Sequence, residues 1–422
     1  MANSYTHHVN SIIRKLTSKL DYVYVMISQG TNYIFPIFIF PLIINRLGLS
    51  KFGVFSLGIV TFQFFNLIIE YGFALSVAKK LNLINEKNQQ SELYSSIIIS
   101  KIILFFLSII FVAFFFFFIE EELGEIFFVF SIGLILVVFN PSWYFQAKGS
   151  FRNLCFISLS SKLITFLIIY LNSINKVEVY FTIYISQYLF IFIVGNYLLF
   201  KNDLRLKIQK GIFSKSVYNL KEGKNFFLSN FMASLYTLLT PVILGIATSK
   251  AEIGIYNNVN VLKQGIAGLF APILQVTYTR TVKSITLSST VQAQFKNSLL
   301  IISGLIGFTL LVVLPGVFFA DWICLYMFKE INQSYILAIR LSLISPIFII
   351  FNSAFSSLFL LVTDNSKTML KSIMVGSVVC LTFSFYISKI YGAVGILSLL
   401  IFVEILVAIM FLLNSIRLIK KV

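Results

Sequence analysis

The chain has 422 residues, 58% of them hydrophobic and only 12% charged, with a formal net charge of +17. A soluble domain of this length cannot hide so much apolar surface, which excludes a water-soluble protein. The basic excess does not point to nucleic acid, because its lysines and arginines sit mostly in short loops between apolar runs, where they set membrane topology and meet anionic lipid head groups.

Twelve apolar runs predict twelve membrane helices, at 22–45, 53–77, 95–119, 126–146, 153–172, 179–200, 225–247, 254–279, 298–320, 335–362, 368–388 and 394–416. Each meets or approaches the roughly 20 residues that an α-helix needs to cross a hydrocarbon core. None alternates at period two, so a membrane β-barrel is excluded. An all-α membrane protein follows.

With a cytoplasmic amino terminus, 23 of the 33 basic residues fall in inner segments and the adjoining span ends. The outer segments hold only Arg46, Lys51, Lys176, Lys250, Lys329 and Lys389. The positive-inside rule therefore places both termini in the cytoplasm. The longest polar stretch, 201–224, is a basic cytoplasmic linker that divides the chain into an N-terminal lobe, 1–200, and a C-terminal lobe, 225–422.

The two lobes echo each other. Pro41, Gly53 and Phe55 around the second span correspond to Pro241, Gly254 and Tyr256 around the eighth, and Phe139-Asn140 corresponds to Phe351-Asn352. Two six-helix lobes in the same orientation are related by a pseudo-twofold along the membrane normal, with a central cavity expected between them.

Four basic residues remain, and all lie inside spans. Lys162 is about ten residues from either end of the fifth span, roughly 15 Å from an interface at about 1.5 Å per residue. Lys263 lies in the eighth span, where Asn257, Asn260 and Gln264 make the most polar helix face in the chain. Lys101 and Arg340 are shallower, and snorkelling to the interface competes with a role in a cavity. Glu70 and Glu404 are the intramembrane acids, each a candidate coupling site for a proton or sodium ion, with structural pairing as the alternative. Gln29 and Asn32 add polar groups to the first span, ahead of Pro36. A cavity with four basic groups and two acidic ones suits an anionic ligand.

Cys155, Cys324 and Cys380 are isolated, without ligand spacing, and read as small core residues. No Gly-rich phosphate loop and no catalytic constellation occurs in the loops, so neither a metal nor a cofactor is implied and a transporter fits better than an enzyme.

Several motifs carry a family likeness. Pro41-Leu42, Arg46-Leu47-Gly48, Phe52-Gly53-Val54-Phe55, Glu70-Tyr71-Gly72-Phe73 and Lys79-Lys80 are followed by Pro141-Ser142-Trp143-Tyr144-Phe145-Gln146 and Ile253-Gly254-Ile255-Tyr256-Asn257. In this order, with twelve spans, the chain resembles the Wzx-type polysaccharide flippases of the superfamily shared with multidrug and toxin extrusion exporters. The resemblance implies a transporter of the bacterial inner membrane. It would turn a polyprenyl-diphosphate-linked oligosaccharide from the inner to the outer leaflet by alternating access, supplying O-antigen or capsule synthesis, with a polysaccharide polymerase and a chain-length regulator as candidate partners. Peptidoglycan-precursor flippases of the same superfamily carry arginines in the first span. Here that span offers Gln29 and Asn32, which favours a surface-polysaccharide unit. Two alternatives stay open: a cation-coupled multidrug exporter and a membrane polysaccharide polymerase.

Overall fold

The computed structural model describes residues 2–118, 121–285, 291–363 and 365–421, and their regular structure is entirely helical. Among the described residues, nine helices are long and apolar enough to cross a membrane. In chain order the helices are α1 Ala2–Leu47, α2 Leu49–Glu70, α3 Phe73–Ser76, α4 Ala78–Leu83, α5 Lys87–Phe118, α6 Glu121–Val138, α7 Ser142–Lys148, α8 Phe151–Leu171 and α9 Val177–Lys201. They continue as α10 Ile212–Ala247, α11 Lys250–Ile285, α12 Val291–Phe318, α13 Ala320–Phe328, α14 Gln333–Phe355, a π-helical turn Ser356–Leu360, and α15 Ser366–Lys421.

Two compact units form. The first comprises Met1–Phe35, Phe64–Asn172 and Phe181–Asn230. Its core is aromatic: Phe130 lies 6.2 Å from Phe65 and 6.4 Å from Phe181, and Trp143 stacks on Tyr94 at 5.6 Å. Tyr71 and Gly72 both have positive φ, 51° and 73°, and this left-handed pair ends α2 just after Glu70. Tyr71 then stacks on Phe227 at 4.4 Å and donates to the Leu220 carbonyl at 3.1 Å.

The basic linker is partly helical, because Ile212, Ser216 and Asn219 recur at helical spacing and bury one stripe of α10. That stripe meets serines of α5. Ser216 donates to the Ser96 carbonyl at 2.8 Å, Asn219 Nδ2 to Ser96 Oγ at 2.8 Å, and the Lys207 amide to Ser95 Oγ at 2.7 Å. At the linker's start Lys87 donates to Asp203 Oδ2 at 2.7 Å and holds that carboxyl below its ordinary value.

The second unit comprises Pro36–Gln63, Ser173–Tyr180 and Phe231–Val422. Helix α14 lies at its centre, packed against α11, α12 and α15, with Ala354, Phe355 and the π-turn residues Leu358, Phe359 and Leu360 fully buried. Helix α15 is broken at Gly392 (φ 55°, ψ −142°), a backbone conformation open only to glycine. At the break Glu252 Oε2 accepts from the Ala393 amide at 2.6 Å and occupies the space that a side chain at 392 would need. The break separates two apolar legs, as the eleventh and twelfth expected spans require. Cys155, Cys324 and Cys380 are buried free thiols.

Candidate functional site

The first unit holds two of the intramembrane lysines in contrasting surroundings. Lys101, on α5, is wholly buried and does not snorkel. Its ammonium donates to Glu70 Oε1 at 2.9 Å and lies 3.4 Å from the Val137 and Asn140 carbonyls. Those carbonyls are available because α6 stops at Val138 before Pro141, while Asn140 Oδ1 accepts from the Ser142 amide at 2.9 Å and holds the turn. The charge that the sequence left over is thus met by one carboxylate and two backbone dipoles.

Lys162, on α8, is half-buried and donates to Asn32 Oδ1 on α1. No ion pair among the described residues includes Lys162. Phe166, one turn along, packs edge-to-face on Phe35 at 6.3 Å and fixes the two helices at this level. Gln29 is half-buried and Asn32 exposed, so the polar edge of α1 carries on past the lysine. The result is a cation held by a neutral amide, with capacity for an anion.

In the second unit the polar face of α11 is divided. Lys263 is half-buried with its ammonium 5.9 Å from the Tyr256 ring centre. Asn257 turns away from it, about 120° round the helix at roughly 100° per residue, and donates to Ser56 Oγ on α2 at 3.1 Å. Asn260 is 8% exposed with Oδ1 lacking a partner, and Gln264 is exposed. Arg340, on α14, is exposed.

Glu404, on the second leg of α15, faces a cavity of about 140 Å³ whose polar lining includes Asn352, Ser353, Ser356 and Ser377. Asn352 Nδ2 donates to Glu404 Oε2 at 2.7 Å and to the Glu404 carbonyl at 2.9 Å. Asn352 Oδ1 is buried without a partner, so a buried acceptor is left over beside a carboxylate. The π-turn begins here at Ser356, where the widened helix shifts the backbone pairing. Sequence reasoning did not assign Asn352 to a site, although its echo of Asn140 was visible.

Nine helices of membrane length among the described residues, with charged and polar groups along them, define a multi-pass membrane protein. The comparisons agree. Residues 20–285 match the model of the family described as polysaccharide biosynthesis protein, and the chain belongs to that family. A protein of Escherichia coli (strain K12) named an O-antigen transporter is 26% identical over 286 residues, covering 65% of this chain and 67% of that one. The lipid II flippase MurJ in an inward closed conformation shares the fold with a TM-score of 0.74 at 12% identity, over 94% of this chain and 87% of that one. An inward-facing multidrug resistance MATE family transporter of the MOP superfamily gives 0.69 at 15% identity, over 93% and 95%. The family match agrees with the polysaccharide resemblance read from the motif series, and the names of these relatives are those of transporters, not of enzymes.

Proposed function

We propose that the protein translocates a polyprenyl-diphosphate-linked oligosaccharide from the inner to the outer leaflet of a bacterial inner membrane, by alternating access, for O-antigen or capsule synthesis. Twelve spans in two six-helix lobes, 1–200 and 225–422, with both termini cytoplasmic, are the arrangement this reading takes. The observation that carries it is Lys162 held by the Asn32 amide at membrane depth, in a chain of the polysaccharide biosynthesis family. A lysine whose partner is neutral keeps its charge available for phosphate, whereas one already paired to a carboxylate does not.

The roles divide accordingly. In the first unit Lys162 binds the diphosphate, with Gln29 and Asn32 offering hydrogen bonds to sugar hydroxyls; in the second unit Lys263, with Asn260 and Gln264, is a further cationic and polar group on the substrate's path. Lys101 and Glu70, bonded to each other, brace the first unit. Glu404, beside the unpartnered Asn352 carbonyl, is the coupling group for a proton or sodium ion. Carrying a diphosphate and several sugars through hydrocarbon without such a path would cost far more than thermal energy supplies.

Depletion of the protein tests the reading, with the lipid-linked species followed by mass spectrometry and its leaflet by access to an external probe. The expected result is accumulation of the unit on the inner leaflet. Unchanged exposure outside would reject the proposal. A multidrug exporter is the second reading, favoured by the fold shared with a MATE transporter. Unchanged drug susceptibility on depletion would exclude it.

A further inference from the structure

The first unit carries a cavity of about 430 Å³, whose lining includes none of the intramembrane lysines, where the start of α10 meets α4 and α5. Its chemistry is cationic. Lys80 places its ammonium 5.3 Å from the Tyr218 ring centre, and no ion pair among the described residues includes it. Lys215 is held by Glu92. Ser214 lies in the first turn of α10, a 36-residue helix with no acidic residue in that turn, so the positive end of its dipole is not offset locally.

One neutral group adds a second requirement. Asn219 is 2% exposed and spends its Nδ2 on Ser96, while its Oδ1 has no partner. A buried carbonyl without a donor is unfavourable, and a ligand bringing a hydroxyl would relieve it. The cavity therefore asks for an anion and a hydroxyl donor together, which is the chemistry of a phosphate ester bearing free hydroxyls.

The source of that ester is indicated by what adjoins the lining. Leu83, Ile208 and Phe213 are exposed to 72%, 85% and 64%, and they interleave with Lys80, Lys207, Lys210 and Lys215. Apolar side chains among lysines beside membrane-length helices match the boundary between head groups and acyl chains. We propose that this cavity binds the head group of an anionic, hydroxyl-bearing phospholipid of the phosphatidylglycerol type. Lys80 and the start of α10 hold its phosphate while Lys215 neutralises Glu92 in the lining, Asn219 accepts from its glycerol, and the lipid ties the linker to the inner leaflet. The proposal goes beyond the flippase reading and does not rest on it.

The test is lipid retention by the purified protein, measured by native mass spectrometry in detergent. Dioleoyl phosphatidylglycerol should be retained, and dioleoyl phosphatidylcholine should not. Dioleoyl phosphatidic acid, which has the charge without the hydroxyls, should bind more weakly. The Lys80→Gln variant, a change at an exposed side chain, should weaken retention about fivefold, the effect of one lysine at an anionic surface. Adding Lys215→Gln, which leaves the Glu92 carboxylate uncompensated in the lining, should abolish it, with circular dichroism confirming the fold. Equal retention of phosphatidylcholine, or parental retention by K80Q, would overturn the site. Equal retention of phosphatidic acid would overturn the role of Asn219. Displacement of the lipid by millimolar glycerol phosphate would reassign the cavity to a soluble ester and overturn the lipid proposal.

Discussion

Gly53 on α2 and Gly254 on α11 face each other across a contact that leaves no room for a side chain on either. A Cβ at 254 would lie 2.7 Å from the Leu49 carbonyl and 3.4 Å from the Gly53 amide nitrogen, and one at 53 would collide with the Lys250 carbonyl. The two glycines are the corresponding members of the sequence echo, each followed two residues later by a buried aromatic, Phe55 and Tyr256. Close approach of this kind is how membrane helices gain packing energy when lipid removes the hydrophobic drive between them. We predict that Gly53→Ala destabilises the second unit by at least about 1–3 kcal/mol. Thermal unfolding of the purified protein checks this, and an unchanged midpoint would contradict the contact.

Lys101 and Glu70 make a prediction of the opposite chemistry. Removing the ammonium with Lys101→Met leaves a carboxylate that is only 27% exposed and takes a donor from the Asn140 carbonyl, while the Val137 carbonyl keeps the Asn140 amide. Breaking one side of a buried pair costs about 3–5 kcal/mol, and the partial exposure of Glu70 puts the expected loss near the lower end. The double variant Lys101→Met, Glu70→Gln should regain part of that loss, because the uncompensated charge is gone. A double variant no more stable than K101M would show that the pair is not what holds the site.

That the chain is a series of long apolar helices was legible in the sequence, because apolar length is a property of short stretches of chain. Which charges pair was not, since pairing depends on contacts such as Lys101 with Glu70, 31 positions apart. The polar face of α11 shows the same limit: spacing grouped Asn257 with Lys263, but α2 supplies Ser56 and takes the amide to another side. The Phe-Asn echo carried more than it first showed. Asn140 turns its carbonyl to Lys101 and Asn352 its amide to Glu404, so each member of the echo meets one intramembrane charge. The linker's helical half was masked by its lysines, since only the stripe Ile212, Ser216 and Asn219 faces α5.

Glu404→Gln separates charge from shape. A glutamine can still accept from Asn352 Nδ2, so the cavity and the fold should persist, while a cation loses its counter-charge. We predict that E404Q reaches the membrane at the parental level and fails to export the lipid-linked unit, and that Glu404→Asp keeps partial activity. Export by E404Q at the parental rate would remove Glu404 from the coupling step.

Lys162 carries the sharpest expectation, because its partner Asn32 is neutral and exposed while the lysine itself is half-buried. A charge-assisted hydrogen bond to phosphate contributes about 1.5–3 kcal/mol, so Lys162→Ala should slow export by about 10- to 100-fold. The variant should not unfold, since no carboxylate of an ion pair is left behind. Lys162→Arg keeps the charge and should retain measurable export, whereas Asn32→Ala, which only frees the ammonium to wander, should cost a few-fold. Lys263→Ala tests the second unit's lysine on its own and should also slow export. Surface polysaccharide yield, set against the lipid-linked unit remaining on the inner leaflet, reads all four variants. Normal export by K162A would remove Lys162 from phosphate binding.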